Sequence, residues 1–399
     1  MPLIHRIVVL LHAKVLRMIY DQVRHDTLYI MLYTLVTAMA MMASCYLLFR
    51  RANAIAPDVM SPVRLRRWTA AFFAAMTLSH VWFMPSLYLT SDEDILQCNL
   101  VGALLDLMML FPLAIVVLLC MLQDRRRPLW PAWVMVAPLV VGMGYGVASR
   151  SDAFLPMLRF YLLLMGIGFI IYMVREVRRY GRWLRDNYAD LEHKEVWQSF
   201  LVLAAIMLVL GIYATGVGGA TYQYVVQVYG MVLVCFLLWR VETLSDLSIP
   251  LPLPFSVEEE TITTEITDDE DEHQSSDAQS QTIRDSIGPK LKRRFEDGQL
   301  YLQHDISISQ LARLIGVNRS YLSNHFASEG ITYNAYINGL RIQHFIKLYH
   351  EAVANHQPVT AQQLAHQSGF RSYSTFSAAF KQIMGKTATE WMRNIEEQE

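Results

Sequence analysis

Two short stretches, "NRSYLSNHFASEG" and "RSYSTFSAAFKQIMG", place hydroxyl, amide and guanidinium side chains at helical spacing. Such groups make no covalent chemistry on their own; they donate and accept hydrogen bonds. A helix whose outer face is short and polar fits a DNA major groove about 12 Å wide. A different set interrupts long apolar runs: His80, Asp106, Arg159, Gln223 and Gln227. Ionisable groups inside a bilayer are costly and rare, so they are candidates for ligand sensing. The competing reading is structural, with Asp106 and Arg159 paired to lock helices together and His80 hydrogen-bonded inside.

Bond-making chemistry finds little support. "LEHKEVW" is not the HExxH of a zinc protease, no GxSxG is present, and no pair of apolar segments carries two carboxylates. The four cysteines, Cys45, Cys98, Cys120 and Cys235, form no CxxC and have no histidine at ligand spacing. We therefore expect no disulfide framework, no metal site, no cofactor and no enzyme.

The elements that must position these residues are helices of two kinds, which makes the chain all-α. Hydrophobic residues make up 53% of it, an excess explained by seven stretches long enough to cross a bilayer, which takes roughly 20 apolar residues. They are residues 28–49, 67–89, 98–121, 129–148, 154–174, 197–217 and 222–241. Trp68, Trp130, Trp133, Trp197 and Trp239 lie near their ends, where amphipathic rings favour the interface. His80 and Asp106 sit roughly 12–14 Å below the outer face at 1.5 Å per residue.

Charge gives the orientation. The first, third and fifth interhelical loops carry fourteen Arg and Lys residues, and the other three offer only Arg150. Basic loops stay in the cytoplasm, so seven crossings leave everything after residue 241 cytoplasmic, in an inner-membrane protein. Residues 1–27 read as an amphipathic segment lying in the interface, with Ile4, Ile7, Val8, Leu11 and Val15 on one face. Its Arg6, Lys14 and Arg17 then fall on the outer side, against the rule.

Residues 242–282 break the pattern with "SIPLPLPF" and "DDEDE". Alternating prolines block helix and sheet, and the acidic remainder has too little apolar surface to fold. It reads as a solvated tether of about 35 Å root-mean-square reach, or as a phosphate mimic that covers a basic partner. Residues 283–399 are such a partner: Arg and Lys exceed Asp and Glu by six over 283–395. An excess of that sign suits a polyanion.

Within that domain the helical pattern appears twice. Ile308, Leu311, Ala312 and Ile315 make one apolar stripe, Gly316 permits a turn, and Asn318 caps a second helix with Tyr321, Leu322 and Phe326 inward. Thr360, Leu364, Ala365, Gly369, Ser372, Phe376, Ala379 and Phe380 repeat the scheme. Between them, Ala335 to Tyr349 fit a connecting helix of about 20 residues and roughly 30 Å. Two recognition helices about one DNA turn apart, ~34 Å, enter successive major grooves.

Residues 283–395 resemble the DNA-binding domain of AraC/XylS-type bacterial transcription regulators, most specifically through "GFRSYSTFSAAFKQIMGKTATEW". Arg341 and Ile342 stand where the connector of that family usually reads Arg-Leu. Ala388 stands in place of a proline, which would loosen the final helix. Phe345 replaces an alanine, and Ala378 replaces a side chain that often touches DNA. The resemblance implies that Asn318, Arg319, Ser320, Ser323 and Asn324 face DNA from the first unit. From the second unit it implies Arg371, Ser372, Tyr373, Ser374, Thr375, Ser377 and Lys381. Arg319, Arg371 and Lys381 would hold phosphates, and Asn324 would read adenine.

The expected partners are double-stranded DNA, the lipid bilayer, a small-molecule or envelope signal and a second copy of the chain. The leading expectation is a membrane-bound one-component regulator. The alternatives are an anchor that releases its DNA-binding domain by proteolysis, and an intramembrane enzyme or transporter with a regulatory domain attached.

Overall fold

A computed structural model describes residues 14–57, 59–149, 155–200, 204, 219–247 and 286–396. Residues 1–13, most of the expected span 197–217, the linker from 248 onward and the Arg159 side chain lie outside that description. Among the described residues the regular elements are helices, and the only strand-like feature is an isolated bridge between Tyr188 and Ser307. The chain divides into two compact units. The first comprises residues 1–180 and 196–249; the second comprises residues 181–195 and 250–399.

The first unit holds α1 (Thr27–Phe49), α2 (Val63–Phe83), α3 (Asp92–Met108), α4 (Leu110–Met121), α5 (Pro131–Ser149), most of α6 (Leu155–Asn187) and α7 (Gly219–Thr243). Among the described residues six helical stretches are long and apolar enough to cross a membrane, with α3 and α4 counted as one. They coincide with six of the seven expected spans. The α3–α4 break follows from Pro112, which has no N–H to offer the Met108 carbonyl. Asp92, Glu93 and Asp94 extend α3 six residues before the expected start, because acidic side chains in a first turn complement the helix dipole. α6 runs well past residue 174 because "REVRRYGRWLRDN" continues in good helix formers once the apolar stretch ends.

An outward face of α6 is wholly apolar: Phe160, Leu163, Leu164, Ile167, Ile170, Ile171 and Val174 are all exposed. Water would penalise so long a stripe, whereas hydrocarbon matches it. The basic loop residues are anchored at one end of the unit. Arg127 joins Glu176 at 2.6 Å and Asp124 at 2.8 Å, and buried Arg66 donates to Asn53 Oδ1 at 2.9 Å. The N-terminal helix from residue 14 brings Arg17 to Asp92 at 3.3 Å, while Arg24 donates to the Leu89 carbonyl at 2.8 Å. Basic residues against the charge rule thus meet an acidic loop.

The second unit contains α8 (Ile308–Ile315), α9 (Arg319–Ser328), α10 (Tyr333–Ala354), α11 (Ala361–Gln367), α12 (Tyr373–Met384) and α13 (Ala388–Glu396). It has two cores. One packs Leu311, Ile315, Leu322, Phe326, Tyr333 and Ile337 around Phe295. The other packs Phe345, Tyr349, Leu364, Phe370, Phe376, Phe380 and Trp391. α10 belongs to both, and its 22 residues span about 33 Å.

Candidate nucleic-acid interface

Each recognition helix is held by an identical device one element upstream. Ser307 and Gln310 form a reciprocal cap at the start of α8, and Thr360 and Gln363 do the same for α11. α8 then ends at Gly316 with φ 69°, a left-handed turn that glycine adopts without strain. Gly369 makes the matching turn at φ 87°, and there a side chain is also excluded by space. A Cβ at this position would stand 2.7 Å from the Leu302 backbone.

α9 presents what the sequence pattern suggested. Asn318, Arg319, Ser320, Ser323 and Asn324 are all exposed, while Leu322 and Phe326 are buried. Asn318 also caps the helix, its Oδ1 accepting from the Ser320 N–H at 2.8 Å. Arg319 is not an open side chain: its guanidinium donates to Oδ1 of Asn187.

α12 offers a thinner face. Ser374 and Lys381 are exposed, but Arg371, Ser372, Tyr373, Thr375 and Ser377 are half-buried. Ser372 Oγ caps the helix at Thr375 and also lies 3.0 Å from Ser374 Oγ and 2.9 Å from Thr375 Oγ1. Tyr373 packs against the second core, its ring centroid 5.6 Å from that of Phe376. Arg371 is engaged by Asp305 at 2.8 Å. Gln382 is exposed one residue beyond Lys381, a position the family pattern did not single out.

The departures from that pattern have local explanations. Phe345 is fully buried and centres an aromatic cluster, 4.6 Å from Phe376, 5.5 Å from Phe380 and 6.4 Å from Trp391. A smaller residue would leave a cavity there. At the proline position, Ala388 opens α13 and is buried. The helix start is secured instead by Thr387 and Glu390, which exchange bonds of 2.9 and 3.3 Å. That cap also holds the Glu390 carboxyl below its ordinary range.

Arg341, marked in the sequence only by its place in the family's connector pattern, lies at the midpoint of α10 between the two cores. It is fully buried. Nε donates to the Tyr301 carbonyl at 2.8 Å and Nη2 to the Gln303 carbonyl at 2.8 Å, and Nη1 and Nη2 both reach Asp190. Burial alone would raise the Asp190 carboxyl. The Arg341 charge and hydrogen bonds, the Asp305 N–H and nearby Lys194 outweigh it and hold the group below its ordinary value. The sequence marked Arg341 through the family pattern and as an arginine on an apolar helix face; nothing local pointed to Asp190 as its partner.

Residues 311–394 match the helix-turn-helix domain family. The C-terminal domain is of the AraC type. Over 94 residues this chain is 32% identical to an uncharacterized HTH-type transcriptional regulator of Staphylococcus aureus, and 29% identical to another from strain MRSA252. Those stretches cover 23% of this chain and only 12% of either relative, so the chain spans a small part of the relatives it matches. No solved structure matches the chain.

The polar residues of the first unit gather in part. His80 Nε2 lies 3.1 Å from the Gln227 amide oxygen, and Tyr33 donates to the His80 carbonyl. Asp106 accepts from Ser79 Oγ at 3.1 Å, while its other carboxylate oxygen is buried without a hydrogen-bond partner among the described residues. Gln223 lies 3.4 Å from the Tyr29 hydroxyl. Among the described residues no cluster could hold a metal ion.

Proposed function

We propose that this protein is a membrane-bound one-component transcription regulator, whose bundle anchors an AraC-type domain that binds promoter DNA in two successive major grooves. The observation that carries the reading is the presence, in one chain, of a helix-turn-helix domain and, among the described residues, six long apolar helices, one of them with an outward face suited to lipid. We assign residues 1–27 to an interfacial segment, 28–241 to the membrane bundle, 242–282 to a tether and 283–399 to the DNA-binding domain. The bundle lies in the bacterial inner membrane with the DNA-binding domain on the cytoplasmic side, in keeping with the loop charges. Pairing of two copies on DNA raises affinity by making the second contact intramolecular.

For DNA contact we assign Ser323, Asn324, Ser374 and Lys381 as directly presented, Arg319 once it leaves Asn187 and Arg371 once it leaves Asp305. Asn318 and Ser372 serve first as caps. The cluster around His80, Asp106 and Gln227 is the candidate site for a small-molecule or envelope signal. Mapping chromatin sites of the intact protein tests the core of this reading: Asn324→Ala and Arg319→Ala each deplete occupancy at normal protein levels. Unchanged occupancy for both overturns the groove assignment, and a C-terminal reporter active only outside the inner membrane overturns the topology.

A further inference from the structure

We infer that the segment Gly181–Glu195, which joins two apolar stretches of the membrane bundle, is a built-in clamp that holds the DNA-contacting arginines away from DNA. The inference rests on the assignment of Arg319 and Arg371 as phosphate contacts, and goes beyond it by naming what occupies them first.

The segment is a structural part of the DNA-binding unit although it lies about a hundred residues upstream in the chain. Ala189 is wholly buried in the first core beside Phe295 and Leu311. Its N–H donates to the Ile306 carbonyl at 3.1 Å, and Asn334 Nδ2 donates to the Ala189 carbonyl. Asp190 takes the buried Arg341, and its Oδ2 also accepts from the Asp305 N–H at 2.8 Å. These contacts seat the segment firmly and in one register.

Seated so, it reaches both recognition helices. Asn187, itself buried, accepts from Arg319 at the start of α9. Lys194 donates to Asp305 Oδ1 at 2.5 Å, while Asp305 Oδ2 holds Arg371 at 2.8 Å at the start of α12. A single carboxylate therefore ties the second arginine to the same segment. The tie to Arg319 is not permanent in character. An amide oxygen is a weaker acceptor for guanidinium than a phosphate, whose full charge strengthens the bond. DNA at sufficient concentration displaces Asn187, and anything that shifts the segment changes how much DNA is required. α6 is continuous from the apolar stretch starting near Phe160 into Asn187, so a rearrangement of that helix reaches the clamp through covalent structure.

The test uses full-length protein in lipid nanodiscs and a random-sequence duplex long enough for both motifs, titrated across salt. Arg319→Ala weakens binding and flattens the salt dependence by about one counterion. Asn187→Ala strengthens binding about fivefold by freeing the guanidinium, and has no effect when Arg319→Ala is already present. Asp305→Asn strengthens binding in the same way through Arg371, and that gain disappears with Arg371→Ala. If Arg319→Ala and Arg371→Ala are both silent, the phosphate assignment fails. If either weakens binding while Asn187→Ala and Asp305→Asn leave it unchanged or weaken it, the assignment stands and the clamp is wrong.

Discussion

Asp190 and Arg341 stand 151 positions apart in the chain and meet through two parallel contacts, Nη1 to Oδ1 at 2.8 Å and Nη2 to Oδ2 at 3.2 Å. Both are buried to 1% or less. A pair so deeply desolvated contributes little net stability relative to an apolar pair, yet removing one partner strands a charge at a cost of about 3–5 kcal/mol. Asp190→Ala is therefore expected to loosen α10, seen as faster amide exchange across Tyr333–Ala354 in the full-length protein. Combining Asp190→Leu with Arg341→Met should recover much of the protection. Equal protection in wild type and Asp190→Ala would show that the pair is not needed to hold the connector.

The same pair sets a pH window. Because the folded Asp190 carboxyl is held below its ordinary value, its stabilising contribution is complete above the unfolded pKa of about 3.9 and is lost as pH falls through the folded value. Thermal stability attributable to this carboxyl should be flat from neutral pH to about pH 5 and fall only in stronger acid. Asp190→Asn should be less stable at neutral pH and should close the gap with wild type as acid is added. A gap that widens on acidification would contradict the sign.

Much of the second unit was legible because its information is local. Caps at Asn318, Thr360 and Ser372, turn glycines at 316 and 369, and apolar spacing through Phe380 each act within a few residues. The α10 helix followed from periodicity, and the residues on the exposed face of α9 from the family resemblance. Partner choice is not local: Asp190, Asn187 and Lys194 come from a segment that reads as an ordinary basic loop between apolar stretches. Nor does a motif show that Arg371 faces a carboxylate before it faces DNA. Six long apolar helices among the described residues were legible from length and hydropathy alone, but their ends shifted where first-turn acids or good helix formers extended a helix beyond its apolar stretch.

Recognition by α9 separates into two measurable kinds. Loss of a phosphate contact in Arg319→Ala should lower affinity for all sequences alike and reduce the salt slope by about 0.9. Loss of a bidentate amide in Asn324→Ala should leave the salt slope intact and cost about 1–3 kcal/mol at one base position only. Competition binding against a library with each operator position randomised distinguishes them. A uniform loss in Asn324→Ala would mean that this side chain does not read a base.

The turn before α12 depends on Gly369 for two separate reasons, positive φ and a Cβ that would meet the Leu302 backbone at 2.7 Å. Gly316 has only the first, since a Cβ there meets nothing closer than the end of the Arg294 side chain at 3.8 Å. Strain of the φ kind costs of order 1–3 kcal/mol, so Gly316→Ala should be tolerated with modest loss. Gly369→Ala should be clearly worse, because a backbone neighbour cannot swing aside. Proteolytic susceptibility of the C-terminal domain in intact membranes reads the difference. Equal behaviour of the two variants would mean that the loop carrying Leu302 yields.

Asp106 provides the sharpest test of signal detection in the bundle. Its Oδ2 is satisfied by Ser79 while Oδ1 is buried without a partner among the described residues, an arrangement costly to maintain in an apolar setting. Asp106→Asn keeps the shape and the Ser79 bond but abolishes the charge. If the carboxyl is part of a ligand site near His80 and Gln227, the variant should accumulate normally and bind its promoter, yet no longer change reporter output when the signal is applied. Ser79→Ala should give a milder version of the same defect. A normal response at normal protein levels in Asp106→Asn would instead place this carboxyl among the contacts that merely hold the helices together.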